Sequence, residues 1–255
     1  MIAISDSELN KLHLLTLNMA EQFVHFCRQN NLICYLCGGG CIGAVRHKGW
    51  IPWDDDLDFF MPREDYEKAI IYWKQQMAHS RYKMEISDAE HIDGNLFFTI
   101  RDSATTYIKP YQENMNITQG IVLDVLPLDG YPDKWWNRKK QCFWALIYSL
   151  YCAQITPKNH GKIIETLAKI MLFLVPNKKK RYKIFSYAKQ KMTKYPMTKR
   201  YRYDDIGGNR RRWNFLFNYP AGYISFIAYL LWDWNAKRSD IRCDTFSSNK
   251  RRRNK

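Results

Sequence analysis

The chain lacks the sequence features that mark membrane-spanning, secreted and disulfide-stapled proteins. No stretch of its 255 residues reaches the roughly 18 apolar residues of a spanning helix. The first six residues, MIAISD, have neither the basic start nor the apolar run of a signal peptide. Seven cysteines, an odd number without regular spacing, do not describe a disulfide framework. We therefore expect a cytoplasmic protein with reduced thiols.

Glutamate is missing from the last third of the chain, where the charge is strongly basic. Residues 166–255 contain 23 Lys and Arg, 5 Asp and no Glu, whereas residues 1–165 contain 17 basic and 20 acidic residues. Such a basic end is typical of contact with nucleic acid, an anionic membrane or another anionic polymer. No RNA-binding motif accompanies it, so we do not expect nucleic acid as a partner. Two apolar stretches, 142–155 and 221–232, fit either a membrane surface or the core of a helix bundle.

Three consecutive glycines lie between two predicted elements. Residues 32–36 indicate a short buried strand, and residues 41–46 indicate the helix that follows. Gly38, Gly39 and Gly40 lie between them, where backbone N–H groups at a helix start can bind an anion. A plain structural turn is the other interpretation.

Four aspartates follow among aromatic and aliphatic residues in the segment 50–60, WIPWDDDLDFF. If residues 56–60 form a strand, Asp56 and Asp58 share one face while Leu57 enters the core. Two carboxylates on one face can chelate Mg²⁺ or Mn²⁺ and leave room for substrate phosphates. A solvated acidic loop is the other interpretation, which the interleaved apolar residues disfavour.

Asp124 interrupts an otherwise apolar predicted strand within residues 120–130. A buried lone carboxylate is costly, so we expect it to have a partner, and a shared metal ion suits this role. Zinc is an alternative metal at Cys34, Cys37 and Cys41, but it would need more ligands at suitable spacing. Buried reduced thiols explain these cysteines better.

The remaining pattern predicts a mixed α/β domain followed by helices. Ser5 and Asp6 are candidate N-caps of the first helix, and Pro62 suits a helix start. The predicted helices are 7–30, 63–76, 135–155, 162–175 and 179–194, with breaks at Pro157 and Pro176. Two further predicted strands are 82–86 and 96–102. We divide the chain into a catalytic core at 1–132, a helical region at 133–205 and an atypical, partly disordered basic tail at 206–255.

Residues 39–58, GGCIGAVRHKGWIPWDDDLD, closely resemble the signature of the LicD family. This family includes bacterial phosphocholine transferases and is related to fukutin and fukutin-related protein. The resemblance continues in MPREDY at 61–66, in RDS at 101–103 with the following TT, and in LDVLPLDG at 123–130. It implies a nucleotidyltransferase-like α/β fold, with a mixed sheet flanked by helices and a helical C-terminal region.

The resemblance also implies roles for individual residues. Asp56 and Asp58 would be the Mg²⁺ or Mn²⁺ ligands, with Asp124 as the third carboxylate. Asp124, or in its place Asp55, would deprotonate or orient the attacking hydroxyl. The three glycines, Gly38, Gly39 and Gly40, would lie against the donor phosphates, and the basic residues Arg46, His47 and Lys48 would balance phosphate charge. A structural ion pair is an equal alternative for Arg46.

Family members transfer an alcohol phosphate, such as phosphocholine from CDP-choline, to a sugar hydroxyl of a surface glycan. The resemblance therefore implies a CDP-choline-like donor and a glycan acceptor such as lipopolysaccharide, teichoic acid or capsule. Acceptors of this kind are often lipid-linked, which implies peripheral membrane contact at the inner face.

The chain departs from the family pattern in two places. Gly40 stands where relatives usually carry Thr or Ser, and the acidic-aromatic end typical of relatives is not found. A frameshifted or decayed reading frame from about residue 208 would explain the second departure, and translation of the gene in all frames tests it. Two alternative functions follow: a nucleotidyltransferase that delivers NMP to a sugar or glycan, and an inactive family member.

Overall fold

The computed structural model describes residues 5–89, 94–108, 112–113, 115–154 and 162–197. Its helices are α1 (Asp6–Gln29), α2 (Gly38–Arg46), α3 (Arg63–Gln76), α4 (Trp135–Ala153), α5 (Lys162–Leu174) and α6 (Lys178–Met192). Its strands are β1 (Tyr35–Cys37), β2 (Asp58–Pro62), β3 (Tyr82–Glu85), β4 (Phe98–Asp102) and β5 (Val122–Leu128). The predicted mixed α/β class is confirmed. The predicted basic tail, the apolar stretch 221–232 and Pro157 lie outside the described residues.

The five strands form one mixed sheet in the order β1-β2-β5-β4-β3. β2 and β5 are parallel neighbours, and the other neighbouring pairs are antiparallel. Because β2 and β5 come from distant parts of the chain, this pairing joins the acidic segment before β2 to the apolar segment around Asp124. The nucleotidyltransferase-like label of this fold stays a prediction.

One face of the sheet is covered by α1 and α3. Ser5 caps α1 through a reciprocal pair of hydrogen bonds with Glu8, as the sequence predicted for Ser5. Phe23 of α1 is fully buried and packs edge-on against Phe59 of β2 and Phe98 of β4. Burying such a side chain contributes about 1.5–3 kcal/mol, so this contact fixes α1 on the sheet.

The opposite face is covered in part by the C-terminal helices. Phe60, Phe97 and Leu126 of the sheet region share a hydrophobic cluster with Tyr151 of α4 and Phe185 of α6. The predicted stretch 142–155 therefore contributes to a helical core, although part of its surface stays exposed. In the described ranges, no helix has the length and apolar character needed to cross a membrane. The proposed division at residue 132 stays a prediction, and the shared cluster shows that the two regions pack together.

Candidate active site

A row of side chains crosses all five strands on the face opposite to α1. The register pairs Cys37 of β1 with Asp58 of β2, and Asp58 with Asp124 of β5. Asp124 pairs in turn with Thr99 of β4, which pairs with Glu85 of β3. Neighbouring strands lie about 4.8 Å apart, so Asp58 and Asp124, two of the three predicted metal ligands, are adjacent. Strand alternation sends the residues flanking Asp124 into the core instead.

The electrostatic surroundings of Cys37 show that the predicted carboxylates converge. Burial raises the pKa of the Cys37 thiol, and the negative charges of Asp58, Asp56 and Asp124 raise it further. Asp56, Asp58 and Asp124 are thus all close enough to act on one sulfur atom. The thiol stays protonated and neutral beside them.

The loop before β2 brings a second carboxylate group to the same place. One carboxylate oxygen from each of Asp54, Asp55 and Asp56 lies within 4.8 Å of the others. Asp56 belongs to this group and also lies before β2, two residues from Asp58. The structure therefore arranges five carboxylates around the start of β2, where the sequence predicted three as ligands.

His13 of α1 supports this loop, and sequence analysis missed it. Its Nε2 lies 2.6 Å from the carbonyl oxygen of Asp54, and an N–H there donates to that carbonyl. The His13 ring also stacks on Trp50, with ring centroids 4.3 Å apart. A histidine in the middle of an amphipathic helix gives no local signal of a partner 41 residues away. The contact ties the acidic loop to α1.

The predicted glycines lie at the start of α2, next to the carboxylates. Gly38 has φ +58°, a conformation that favours glycine, and a Cβ there would lie 3.8 Å from Asp58 Oδ2. A Cβ on Gly39 would lie only 1.9 Å from Asp54 Oδ2. Glycine at position 39 therefore allows the backbone of α2 to contact the Asp54 carboxylate. A negative charge beside this helix N-terminus is favourable.

Gly40 is buried, and its surroundings explain why it tolerates no larger residue without adjustment. A Cβ there would lie 2.5 Å from Leu57 Cδ1 and 3.0 Å from Leu36 Cδ1. These two leucines fill the space that a side chain at position 40 would need.

Two predicted binding residues lie elsewhere on α2. Arg46 is the last residue of α2 and His47 is its C-cap, and both are exposed. The helix rise of about 1.5 Å per residue puts Arg46 about 12 Å from the Gly38 end. The His47 ring contacts Trp53 edge-on at 6.2 Å. Their proposed role in balancing phosphate charge stays a prediction.

The cysteines of the CxxC pair face different partners. Cys34 hydrogen-bonds with Cys27 of α1, which raises the pKa of Cys27 and lowers that of Cys34. Cys37 instead lies among the carboxylates. In the described part of the chain, the group able to hold a metal ion consists of aspartates and includes no cysteine. Reduced thiols, buried at Cys37 and partly buried at Cys34, stay our interpretation of this pair.

A buried ion pair fixes the end of β5 next to the start of α3. Arg63 Nε and Nη2 donate to the two carboxylate oxygens of Asp129 at 2.6 and 2.9 Å. Burial lowers the pKa of Arg63, but the charge and hydrogen bonds of Asp129 outweigh this and raise it overall. The fork geometry of this pair orients both strands that carry the site.

The donor set suits a hard divalent cation. Carboxylate oxygens are the ligands that Mg²⁺ and Mn²⁺ prefer, and Mg²⁺ in phosphoryl-transfer sites is usually held by one or two carboxylates and substrate phosphates. Among the described residues, the oxygens close enough to share an ion belong to Asp54, Asp55 and Asp56, with Asp58 and Asp124 adjacent on β2 and β5. Asp56, Asp58 and Asp124 as the metal ligands stay a prediction.

Comparisons with known proteins agree with the sequence resemblance. Residues 31–132 match the family described as LicD/FKTN/FKRP, nucleotidyltransferase domain. An 80-residue segment is 40% identical to the lipopolysaccharide cholinephosphotransferase LicD of Haemophilus influenzae. This match covers 31% of the present chain and 30% of that relative. No solved structure matches the chain significantly.

Proposed function

We propose, from the match of residues 31–132 to the LicD family, that the protein transfers phosphocholine, or a similar alcohol phosphate, to a hydroxyl of a cell-surface glycan. The proposed donor is CDP-linked, and the proposed acceptor is lipopolysaccharide, teichoic acid or capsule. The observation that carries this proposal is the pairing of Asp58 with Asp124 beside Asp56, inside the matched segment.

The proposed reaction is a substitution at phosphorus. The acceptor hydroxyl oxygen attacks the phosphorus of the phosphocholine group, the bond between that phosphorus and the oxygen of CMP breaks, and CMP leaves. Asp124 is our first candidate to take the hydroxyl proton, and Asp55 is the second. Asp56 and Asp58 would hold Mg²⁺ or Mn²⁺, which neutralises diphosphate charge when bound. The start of α2 at Gly38 would face the donor phosphates.

A second candidate function keeps the same site. The matched family carries a nucleotidyltransferase description, which favours attack at the other phosphorus of the donor. In that case CMP would pass to the acceptor and phosphocholine would leave. The position of the labelled group after reaction separates the two functions.

The test is turnover of CDP-choline labelled in both choline and cytidine, with Mg²⁺ and a bacterial envelope glycan. We expect choline label on the glycan and free CMP. Asp56→Ala and Asp58→Ala should each lower turnover about 100-fold or more, because each removes stabilisation of the leaving phosphate. The matched control is Asp133→Ala, an exposed aspartate outside the site, which should leave turnover unchanged.

Equal turnover in the wild type and in both site variants would contradict the assignment of Asp56 and Asp58 as metal ligands. Cytidine label on the glycan would replace the first function by the second. Absence of turnover with intact Mn²⁺ binding, measured by electron paramagnetic resonance, would favour the inactive alternative.

A lipid-linked acceptor and peripheral contact with the inner face of a membrane belong to the same proposal. The support is an exposed surface of α4 that combines Trp135 and Trp136 with Lys139 and Lys140. Amphipathic aromatic rings beside basic side chains are typical of the membrane interface.

A further inference from the structure

Arg101 lies on the face of the sheet that carries the site row. Phe98 and Ile100 of β4 point into the core shared with α1, so strand alternation sends Thr99 and Arg101 to the other face. Thr99 is the register partner of Asp124. Arg101 is two residues away on the same strand and is therefore a diagonal neighbour of Asp124.

The guanidinium of Arg101 is buried with most of its donors unused. Arg101 is 0% exposed, and Nη2 donates to Gln112 Oε1 at 2.8 Å. Nε and Nη1 have no hydrogen-bond partner among the residues that the structure describes. The adjacent carboxylate of Asp102 pairs instead with Arg81, at 2.5 Å. No described carboxylate forms an ion pair with Arg101.

Asp124 lies diagonally across the strand pair, but in the described part of the chain no direct ion pair or hydrogen bond to it satisfies these donors of Arg101. A buried guanidinium with unbonded donor nitrogens is unfavourable, so a retained one indicates a ligand with acceptor oxygens. Its neighbours point the same way, because the hydroxyl of Thr99 and the amide nitrogen of Gln112 are also buried without a partner. The carbonyl oxygen of the Gln119 side chain is a further unpaired atom, and it is an acceptor. The nitrogens of Arg101 and Gln112 in this group are donors, and the hydroxyl of Thr99 can donate or accept. The oxygens of Gln119 and Asp124 are acceptors. The two unbonded donor nitrogens, Nε and Nη1, can donate to separate oxygens of a diphosphate.

We propose that Arg101, oriented by Gln112 and flanked by Thr99, binds a phosphoryl oxygen of the diphosphate donor beside the Asp58–Asp124 pair. This inference rests on the proposed function and adds a cationic residue to its acidic site. The carboxylates take the metal ion, and Arg101 supplies the positive charge that the diphosphate still lacks. Gln112 acts as a positioning residue through its bond to Nη2.

Binding of inorganic pyrophosphate in the presence of Mn²⁺, measured by calorimetry on the full chain, tests this assignment without requiring turnover. Arg101→Met should weaken pyrophosphate binding about 10- to 100-fold, the range for hydrogen bonds to a charged group. Mn²⁺ binding without pyrophosphate should stay unchanged, because the carboxylates remain. The thermal midpoint of the free protein should stay the same or rise, since an unpaired buried charge is removed. The control is Arg28→Met, an exposed arginine on α1, which should bind pyrophosphate as the wild type does.

The outcomes are distinct. If Arg101→Met binds pyrophosphate as tightly as the wild type and has a lowered thermal midpoint, Arg101 has a structural role and the assignment is overturned. The assignment is also overturned if the wild-type protein does not bind pyrophosphate. If Arg101→Met fails to fold, Arg101→Lys is the second test variant, because lysine keeps the positive charge but lacks the planar set of guanidinium donors. A pyrophosphate affinity of Arg101→Lys equal to that of the wild type would overturn the assignment. Arg101-dependent pyrophosphate binding without turnover of CDP-choline would instead support the anion site and reject the proposed function.

Discussion

Gly43 shows how one residue without a side chain holds α2 against the acidic loop. A Cβ on Gly43 would lie 2.5 Å from the Gly49 carbonyl oxygen and 3.0 Å from the Ile51 nitrogen. Both are backbone atoms of the segment that leads into the loop, so neither can rotate away. The helix and the loop approach each other closely because position 43 is glycine.

We therefore expect Gly43→Ala to lower the free energy of unfolding by about 1–3 kcal/mol, the usual cost of overpacking. Urea denaturation measures this change. The matched control is Gly49→Ala, where the nearest atom would lie 4.0 Å from the new Cβ and the effect should stay within about 0.5 kcal/mol. Equal effects of the two substitutions would contradict the proposed close contact.

The role of a single residue can be predicted well from the sequence where the neighbouring residues along the chain define its environment. Asp58 and Asp124 were predicted as ligands because each lies in an apolar strand pattern, and the structure places them side by side. Asp54 and Arg101 were not singled out. The contact of Asp54 with Gly39 and the complete burial of Arg101 depend on tertiary packing, which no local pattern reveals.

Between elements, a single amide side chain connects the end of β5 to the end of α6. Gln141 of α4 is buried, and its Nε2 donates to the carbonyl oxygens of Gly130 and Met192, each at 2.8 Å. Gly130 lies just after β5, so this side chain links the sheet carrying the site to the C-terminal helices. The helical region is thereby held in one orientation on the sheet.

Replacing this amide by a side chain of similar size should leave two buried carbonyl oxygens without their donor. We expect Gln141→Leu to lower the free energy of unfolding by about 1–3 kcal/mol, measured by thermal or urea denaturation. Gln22→Leu, an exposed site on α1, is the control and should change stability by less than about 0.5 kcal/mol. A stable Gln141→Leu variant would show that the two carbonyl oxygens find other donors.

The predicted bounds of elements differ in accuracy for a physical reason. Helices with a clear apolar stripe were predicted well: the bounds 63–76 match α3 (Arg63–Gln76), and 7–30 is one residue from each end of α1. The start of α2 was missed by three residues, because consecutive glycines have low helix propensity. In the structure, Gly39 and Gly40 pack closely against Asp54 and Leu57 where the helix begins. Strand β2 begins two residues later than predicted, so Asp56 lies in the loop.

Over the whole molecule, apolar surface and positive charge occur together on the C-terminal helices. Trp135 and Trp136 at the start of α4 are 54% and 71% exposed, and the Lys139 ammonium lies 5.5 Å from the Trp135 ring centroid. On α5, exposed apolar residues recur at helical spacing, namely Ile163, Leu167, Ile170 and Leu174. An exposed tryptophan pair beside lysines suits an anionic lipid surface, since the rings enter the interface while the ammonium groups face headgroups.

We therefore expect the full chain to sediment with phosphatidylserine-containing vesicles more than with pure phosphatidylcholine vesicles. Each basic residue near the surface contributes about 1 kcal/mol, and salt screens this attraction over about 10 Å, so binding should weaken as salt rises. Trp135→Ser with Trp136→Ser should reduce binding about tenfold or more, because two rings no longer enter the interface. Trp53→Ser, which removes an equally exposed tryptophan near the acidic loop, should bind vesicles like the wild type. If the double variant binds as the wild type does, α4 is not the contact surface, and a lipid-linked acceptor must reach the carboxylates by another face.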